Sequence, residues 1–380
     1  MQIYLDSCAT TAPRMEVINL MQEILQKGWG NPSSLHRWGE RATLALEKAR
    51  WQVASFINAP SPDSIIFTSG GTEADNLAVF GITSQYATPQ HIIISAVEHS
   101  AIALPAQMLE DKGWQVTRLP VNRKGRVNPQ DLAQAIQDNT VLVSIIYGQS
   151  EVGTIQPIKE LTTIAKSNGV LFHTDAVQVA GRLTIDVEDL GVDLLSLSAH
   201  KYYGIQGAGA LYIRAGVKLE PSGGGGGQEK GLRSGTQALG AIASMGLASH
   251  LAQQELESES LRLRELRDYL FELLSPCPYL AFTGDLLHRL PHHASFLINS
   301  DSKQLTGRKM VRELNFAGIG ISAGSACNSG KSQPSNTLVA MGYSEDEAVK
   351  GIRISLDRHT TKEDIAWTAM VIEQVIQRII

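Results

Sequence analysis

One glycine-containing segment has the composition of a phosphate-binding turn. Residues 68–74 (Thr-Ser-Gly-Gly-Thr-Glu-Ala) follow the apolar run 65–67 and precede a helix-like stretch. Paired glycines let backbone N–H groups approach an anion closely, and a helix N-terminus and the Thr72 hydroxyl would add further donors. An ordinary strand-to-helix turn with a threonine cap explains the segment about as well. It matches neither a Walker loop nor a dinucleotide fingerprint, so no nucleotide is predicted.

Two later segments each place a charged side chain at the end of an apolar run. Asp175 closes one run, and a carboxylate buried at a strand end is costly without a cation beside it. A protonated pyridine nitrogen is such a cation, and this pairing makes pyridoxal phosphate an electron sink. Lys201 ends the next run and is a candidate Schiff-base amine. Asp175 alone could be a helix cap or a salt-bridge residue, and Lys201 alone a surface lysine. Together with residues 68–74 they favour a pyridoxal-phosphate site.

The chain has three cysteines, Cys8, Cys277 and Cys327, and this sparse, odd set argues against a disulfide framework. Cys327 lies among small and polar residues in 324–335, which predicts an exposed, mobile and reactive thiol. Cys277 stands between two prolines and is predicted to be a turn or core residue. Cys327 is therefore the candidate nucleophile.

Short apolar runs alternate with helix-like stretches through the first 215 residues. Helix starts are indicated by Asn128-Pro129 and by residues 157–160. This alternation predicts an α/β fold with a mostly parallel sheet covered by helices, and the active site belongs at the carboxyl ends of its strands. The predicted strands are 65–67, 92–94, 141–147, 170–173 and 194–197.

The pattern changes after residue 235 to a long helical stretch, 236–274, with a charge-rich middle. Beyond it, strands are predicted at 294–298, 319–322 and 352–354, with helices at 303–316 and from 361. We predict a large domain at 16–255 and a smaller α+β domain made of 1–15 and 256–380. The glycine run 223–227 is consistent with either a flexible linker or a loop lining a site.

Composition narrows the class of protein. The 380 residues are 43% hydrophobic and 19% charged, as in a well-buried globular protein. A net charge of -5 argues against nucleic-acid binding. No apolar run approaches the roughly 20 residues needed to span a bilayer, and the N-terminus lacks the regions of a signal peptide. A cytoplasmic protein with no membrane or direct nucleic-acid partner is predicted.

The ordered motifs resemble those of the cysteine desulfurases, which are fold-type-I, class V pyridoxal-phosphate enzymes. The resemblance covers essentially the whole chain. The matching motifs are Tyr4-Leu5-Asp6 with Ala9-Thr10-Thr11, Asn31-Pro32-Ser33-Ser34, Phe67-Thr68-Ser69-Gly70-Gly71-Thr72-Glu73, Glu98-His99, His173-Thr174-Asp175-Ala176-Val177-Gln178, Ser198-Ala199-His200-Lys201, Arg233-Ser234-Gly235-Thr236, Ser325-Ala326-Cys327 and Ile352-Arg353-Ile354-Ser355.

The resemblance implies a role for each matching residue. Lys201 would carry the cofactor, His99 would stack on its ring and assist proton transfer, and Cys327 would receive the sulfur. Arg353 would clamp the substrate carboxylate. Asp175 would pair with the ring nitrogen and Gln178 with the phenolic oxygen, while Cys8 would lie nearby without reacting. The phosphate would be held by Gly71, Thr72, Ser198, His200 and, from the second subunit of a homodimer, Thr236.

The implied reaction removes sulfur from L-cysteine, giving L-alanine and a persulfide on Cys327. The sulfur would then pass to an acceptor in iron–sulfur cluster assembly or tRNA thiolation. The long Cys327 segment is similar to that of the group serving iron–sulfur scaffold proteins, so Cys327 could also bind a transient cluster. The alternatives are a selenocysteine lyase or another class V enzyme, and a degenerate, non-enzymatic partner in a sulfur-transfer complex.

Two features depart from the family pattern. Ser150 stands where the family has a cofactor-binding and substrate-binding asparagine, which leaves substrate orientation open, and Gln149 or a water molecule could compensate. The glycine run replaces bulkier residues. Three nearby histidines, His288, His292 and His293, are expected on a loop without carboxylate or thiol support, so no metal site is predicted there.

Overall fold

A seven-stranded sheet forms the centre of the larger part of the molecule. The computed structural model describes residues 2–300, 305–324 and 334–379. The strands of this sheet are β2 (Ile65–Thr68), β3 (His91–Ser95), β4 (Gln115–Leu119), β5 (Thr140–Ser144), β6 (Leu171–Asp175), β7 (Leu194–Ser198) and β8 (Gly209–Ile213). β1 (Ile3–Tyr4) lies outside it.

The strand order is β2-β8-β7-β6-β5-β3-β4, and β8 alone runs antiparallel to its neighbours in this sheet. The predicted mostly parallel α/β sheet is confirmed. The strand predicted at 141–147 ends at Ser144, and β4 was missed because its polar, half-exposed side chains form no apolar run. From β3 the chain goes to β4 on one side of β3 and then to β5 on its other side, so the strand order changes direction between β3 and β5. Ligands of open α/β sheets bind at such a switch point.

Helices cover both faces of the sheet. Side chains of α2 (Arg37–Phe56) and α8 (Leu239–Leu274) pack on one face, and those of α3 (Gly71–Thr83) and α4 (Ser100–Glu110) pack on the other. The first seven helices are α1 (Met15–Glu23), α2 (Arg37–Phe56), α3 (Gly71–Thr83), α4 (Ser100–Glu110), α5 (Pro129–Ala135), α6 (Ile158–Ser167) and α7 (Val187–Leu190). The others are α8 (Leu239–Leu274), α9 (Gly307–Phe316), α10 (Asn336–Ala340), α11 (Glu345–Ala348) and α12 (Lys362–Ile379).

A second hydrophobic core lies around a small antiparallel sheet. Its strands β9 (Leu280–Phe282), β10 (His293–Ile298) and β12 (Gly351–Ser355) follow the order β12-β10-β9, and β1 pairs with β11 (Ile319–Gly320). This core includes the C-terminal half of α8 and the buried Cys277, as predicted. The predicted domain boundary at 255/256 lies inside the continuous α8.

Two predicted elements are shorter in the structure. The helix predicted at 303–316 begins at Gly307, where the Thr306 side chain accepts a hydrogen bond from the Lys309 N–H and caps it. The strand predicted at 319–322 ends at Gly320. In the described part of the chain, no helix combines the length and apolar character needed to cross a membrane.

Candidate active site

A cavity of about 260 Å³ opens at the carboxyl ends of the parallel strands. Most of the predicted cofactor residues meet there, although they come from the ends of different strands. The cavity is lined by Ala9, Gly71, Thr72, Asp75, His99, Ile146, Ser150, Asp175, Val177, Gln178, Ser198, His200 and Lys201.

The predicted phosphate segment lies on one wall of this cavity. α3 begins at Gly71, directly after β2, so its unpaired N–H groups and positive dipole end belong to this wall. A Cβ on Gly71 would lie 2.7 Å from Val177 Cγ2 and 3.4 Å from Ser198 Cβ. A methyl group at this position would therefore displace Val177 or the backbone of this wall, both of which shape the cavity.

Replacing Gly71 with alanine is expected to weaken binding of pyridoxal phosphate by about tenfold or more, because a methyl group would intrude where backbone and phosphate must meet. Titrating the cofactor-free protein with pyridoxal phosphate and following absorbance measures the effect. Gly223→Ala is the matched control, because its Cβ would meet open space. Equal affinities for the two variants would contradict a phosphate site at Gly71.

Asp175 ends β6 and is 5% exposed. Its Oδ1 accepts a hydrogen bond of 2.9 Å from the Val177 N–H, and burial raises the pKa of its carboxyl group. Side-chain ligand atoms of Asp75, His99 and Asp175 lie within 4.8 Å of one another, and Asp75 Oδ1 is buried without a hydrogen-bond partner. The cluster therefore favours a cationic occupant.

A metal ion or a protonated ring nitrogen could both supply that positive charge. The anion-binding wall at Gly71 and the amine of Lys201 share the cavity with the carboxyl groups. An occupant that is cationic at one end, phosphorylated at the other and reactive toward amines fits all three features. The residues present fit pyridoxal phosphate.

Lys201 follows β7 and lines the same cavity. Its Nζ donates hydrogen bonds to the backbone carbonyls of Cys8, at 2.6 Å, and Ala9, at 2.8 Å. Burial lowers the pKa of the Lys201 amine, although nearby acidic groups oppose the effect. A lysine with a lowered pKa is a better nucleophile and base near neutral pH.

Cys8 contributes its backbone rather than its thiol. Its carbonyl also accepts a 2.9 Å hydrogen bond from Gln178 Nε2. The thiol is buried, 3.3 Å from His292 Nε2, and burial raises its pKa. A buried thiol with a raised pKa is a poor nucleophile.

His99 forms the N-cap of α4. Its Nδ1 accepts a hydrogen bond of 3.2 Å from the Ala101 N–H, so the proton of the neutral ring lies on Nε2. His99 follows β3 and lines the same cavity as Asp175. The capping contact fixes the position of the imidazole at this cavity.

Arg353 lies on β12 behind the cavity and is 3% exposed. Its Nη2 donates to Asp6 Oδ1 at 2.6 Å and its Nη1 to the Ser150 carbonyl at 3.1 Å, while its Nε is buried without a partner. Gln149 does not replace the family's asparagine. Its side chain is buried outside the cavity and binds Thr337 and backbone groups.

Thr236 is exposed and does not line this cavity. It lies on a loop anchored by Glu229, whose carboxylate pairs with Arg50 at 2.8 Å. Gly225, in the glycine run, approaches this loop so closely that a Cβ there would lie 2.4 Å from Ser234 Cβ. The run is therefore part of a folded loop. Cys327 lies outside the described residues.

Glu98 was not singled out for chemistry, although it stands beside His99 in the matching motif. Its Oε1 accepts a 2.9 Å hydrogen bond from the Ile146 N–H, whereas its Oε2 is buried without a partner. Burial raises the pKa of Glu98 to about 8. Asp75 was missed too, and its only signal was a carboxylate near the start of the helix that follows the paired glycines.

The raised pKa of Glu98 predicts a pH-dependent stability. The folded protein keeps a proton that the unfolded chain releases above its ordinary pKa of 4.5. The free energy of unfolding should therefore fall between about pH 4.5 and about 8, by up to about 1.4 kcal/mol per pH unit from this group. Urea unfolding of Glu98→Gln and the wild type across this window measures the difference. Parallel pH profiles would contradict the prediction.

Comparison with known proteins agrees with this geometry. A family model described as aminotransferase class-V matches residues 3–367. A cysteine desulfurase IscS of Dictyoglomus turgidum is 43% identical over 100% of this chain and 95% of its own length. The chain belongs to the class V aminotransferases. The IscS protein of Methanosarcina thermophila is 41% identical over 99% of this chain and 92% of its own.

Solved structures of related proteins have the same fold as this chain. A "NifS-like protein" has a TM-score of 0.92 and 34% identity, with both chains covered completely. A structure titled "SspA in complex with cysteine" has a TM-score of 0.84 and 33% identity, covering 95% of this chain and 100% of the other. The family is the cysteine desulfurase branch of the class V aminotransferases, and this chain is a pyridoxal-phosphate enzyme.

Proposed function

We propose that this protein removes the sulfur atom of L-cysteine, forming L-alanine and a persulfide on Cys327. The observation that carries the proposal is the shared cavity of Lys201, Asp175 and the Gly71 wall, with Arg353 directly behind Ser150. Together these groups can hold the amine, the α-carbon and the carboxylate of one amino acid at the same time.

When bound, pyridoxal phosphate withdraws electrons from the α-carbon of an amino acid. Asp175 would hold the positive charge at the ring nitrogen, and the Gly71 wall would hold the phosphate. Lys201, with its lowered pKa, takes a proton from the α-carbon of the substrate, and the His99 imidazole is the second proton carrier on the same cavity wall.

Arg353 binds the substrate carboxylate. Its guanidinium is held by Asp6 and by the Ser150 carbonyl, and the unpartnered Nε–H is a donor that the substrate could use. Burial of Arg353 removes competing water, so the ion pair with a carboxylate is stronger than it would be at the surface.

Cys327 accepts the sulfur. Its thiolate attacks the sulfur of the substrate, a sulfur–sulfur bond forms and the carbon–sulfur bond breaks. The electron pair of the broken bond stays with the substrate β-carbon, which takes a proton and becomes the methyl group of alanine. A sulfur acceptor then removes the persulfide sulfur from Cys327, and acceptors of iron–sulfur assembly or tRNA thiolation suit this chemistry.

A homodimer would complete the site. Thr236 is exposed outside its own cavity, which is consistent with a role in the site of a second subunit. Large apolar side chains are exposed on α1, α2 and the segment between them, and such surfaces favour protein interfaces. These side chains are Met15, Leu25, Trp29, Leu35, Trp38, Leu44 and Trp51.

Supplying L-cysteine with a reductant and measuring alanine and sulfide together tests the proposal. The wild type should form both in equal amounts, and Cys327→Ser should form neither while keeping the cofactor absorbance. Cys277→Ser is the control, because Cys277 belongs to the core of the small sheet. Alanine formation by Cys327→Ser at the wild-type rate would contradict the persulfide.

A further inference from the structure

His293 lies on a strand and not on the loop that the sequence predicted for it. It is the first residue of β10 and is fully buried. In the register of β10 and β12, Ser295 lies opposite Arg353 and His293 lies opposite Ser355. Because side chains two residues apart share a face of a sheet, His293 and Arg353 are diagonal neighbours on the same face.

Both side chains bind one backbone oxygen. His293 Nε2 lies 3.1 Å from the Ser150 carbonyl oxygen, and Arg353 Nη1 lies 3.1 Å from the same oxygen. A carbonyl oxygen has two lone pairs, so these two donors satisfy it completely. Ser150 itself lines the cavity, so the pair fixes a cavity-lining residue from behind.

The imidazole is held in one protonation state and one position. Burial and the neighbouring arginines Arg289, Arg353 and Arg267 lower the pKa of His293, so the ring is neutral. Since Nε2 donates to Ser150, the Nδ1 atom carries a lone pair, and it is buried without a partner. A Cβ on Gly153 would lie 2.6 Å from this Nδ1, so the ring fits closely against that glycine.

We propose that His293 is a positioning residue for substrate-carboxylate recognition. It holds the Ser150 carbonyl against Arg353 Nη1, so that the guanidinium is fixed between this carbonyl and Asp6 with its Nε–H unused. The same contact keeps the carbonyl oxygen of Ser150, which carries a partial negative charge, directed at Arg353. This oxygen then stays away from a substrate carboxylate in the cavity and does not repel it. The proposal rests on the substrate role proposed for Arg353.

Two amines that differ only in the carboxylate test this role. L-Alanine and ethylamine are titrated separately into the holoenzyme, and the change in cofactor absorbance gives each Kd. In His293→Leu, which lacks the N–H, the Kd of L-alanine should rise by about tenfold, whereas the Kd of ethylamine should stay unchanged. His293→Gln places an amide nitrogen near the position of Nε2 and should restore most of the affinity for L-alanine.

The other possible results contradict either the role of His293 or the role of Arg353. If His293→Leu binds L-alanine as the wild type does, or weakens both amines equally, the positioning role is overturned. If leucine prevents folding, His293→Asn carries the same expectation, because its amide reaches only the Nδ1 position. If the wild type itself prefers ethylamine or shows no preference, the role proposed for Arg353 fails, whatever His293 does.

Discussion

Replacing Lys201 with alanine is expected to lower the rate of alanine formation from L-cysteine by roughly a thousandfold or more. The amine is the only lysine amine in the lining of the described cavity, where it shares the space with Asp175 and the Gly71 wall. Its loss removes both the proposed attachment point of the cofactor and the proposed base. Steady-state assays of alanine measure the effect.

A second measurement separates chemistry from folding. The Lys201→Ala protein should still bind pyridoxal phosphate through the Gly71 wall and Asp175, but dialysis should remove the cofactor far more readily than from the wild type. The exposed Lys112→Ala variant is the control and should match the wild type in both measurements. Alanine formation within tenfold of the wild type would refute the role of Lys201.

Glu229→Ala is expected to lower the free energy of unfolding by about 3–5 kcal/mol. Arg50 Nη1 and Nη2 bind the two oxygens of Glu229 at 2.8 and 3.0 Å, and the Phe67 N–H donates to the same carboxylate. Burial alone would raise the pKa of Glu229, but the hydrogen bonds and charge of Arg50 lower it. Without Glu229, the buried Arg50 guanidinium keeps only the half-exposed Glu47 carboxylate as a counter-ion. Urea unfolding of the holoenzyme measures the change.

Removing both partners should be less harmful than removing Glu229 alone, because the buried Arg50 charge, which Glu47 alone would then balance, is absent. The Arg50→Met, Glu229→Ala double variant should therefore be more stable than Glu229→Ala. Asp63→Ala, which breaks the exposed ion pair between Asp63 and Lys230 next to Glu229, should change stability little. A Glu229→Ala protein as stable as Asp63→Ala would show that the Arg50 pair does not anchor the loop that carries Thr236.

Much of the site was predictable because strand ends are local features of the sequence. Asp175 and Lys201 each follow an apolar run, and parallel strands bring their carboxyl ends to one edge of a sheet. The family motifs then implied roles for residues whose own patterns were ambiguous, such as Arg353. β4 was not predictable in this way, because an edge strand with polar side chains has no apolar run.

The sequence by itself determined the kinds of groups available: an amine, a carboxylate and an anion-binding turn, each at the end of a strand. Only the tertiary structure decided which groups hold them in place. Arg353 binds Asp6, a residue 347 positions away, and the Lys201 amine binds the carbonyl of Cys8 from 193 positions away. His293 binds the carbonyl of Ser150, 143 positions away. Such contacts arise where separate strands and loops pack together, and no local pattern of residue types encodes them.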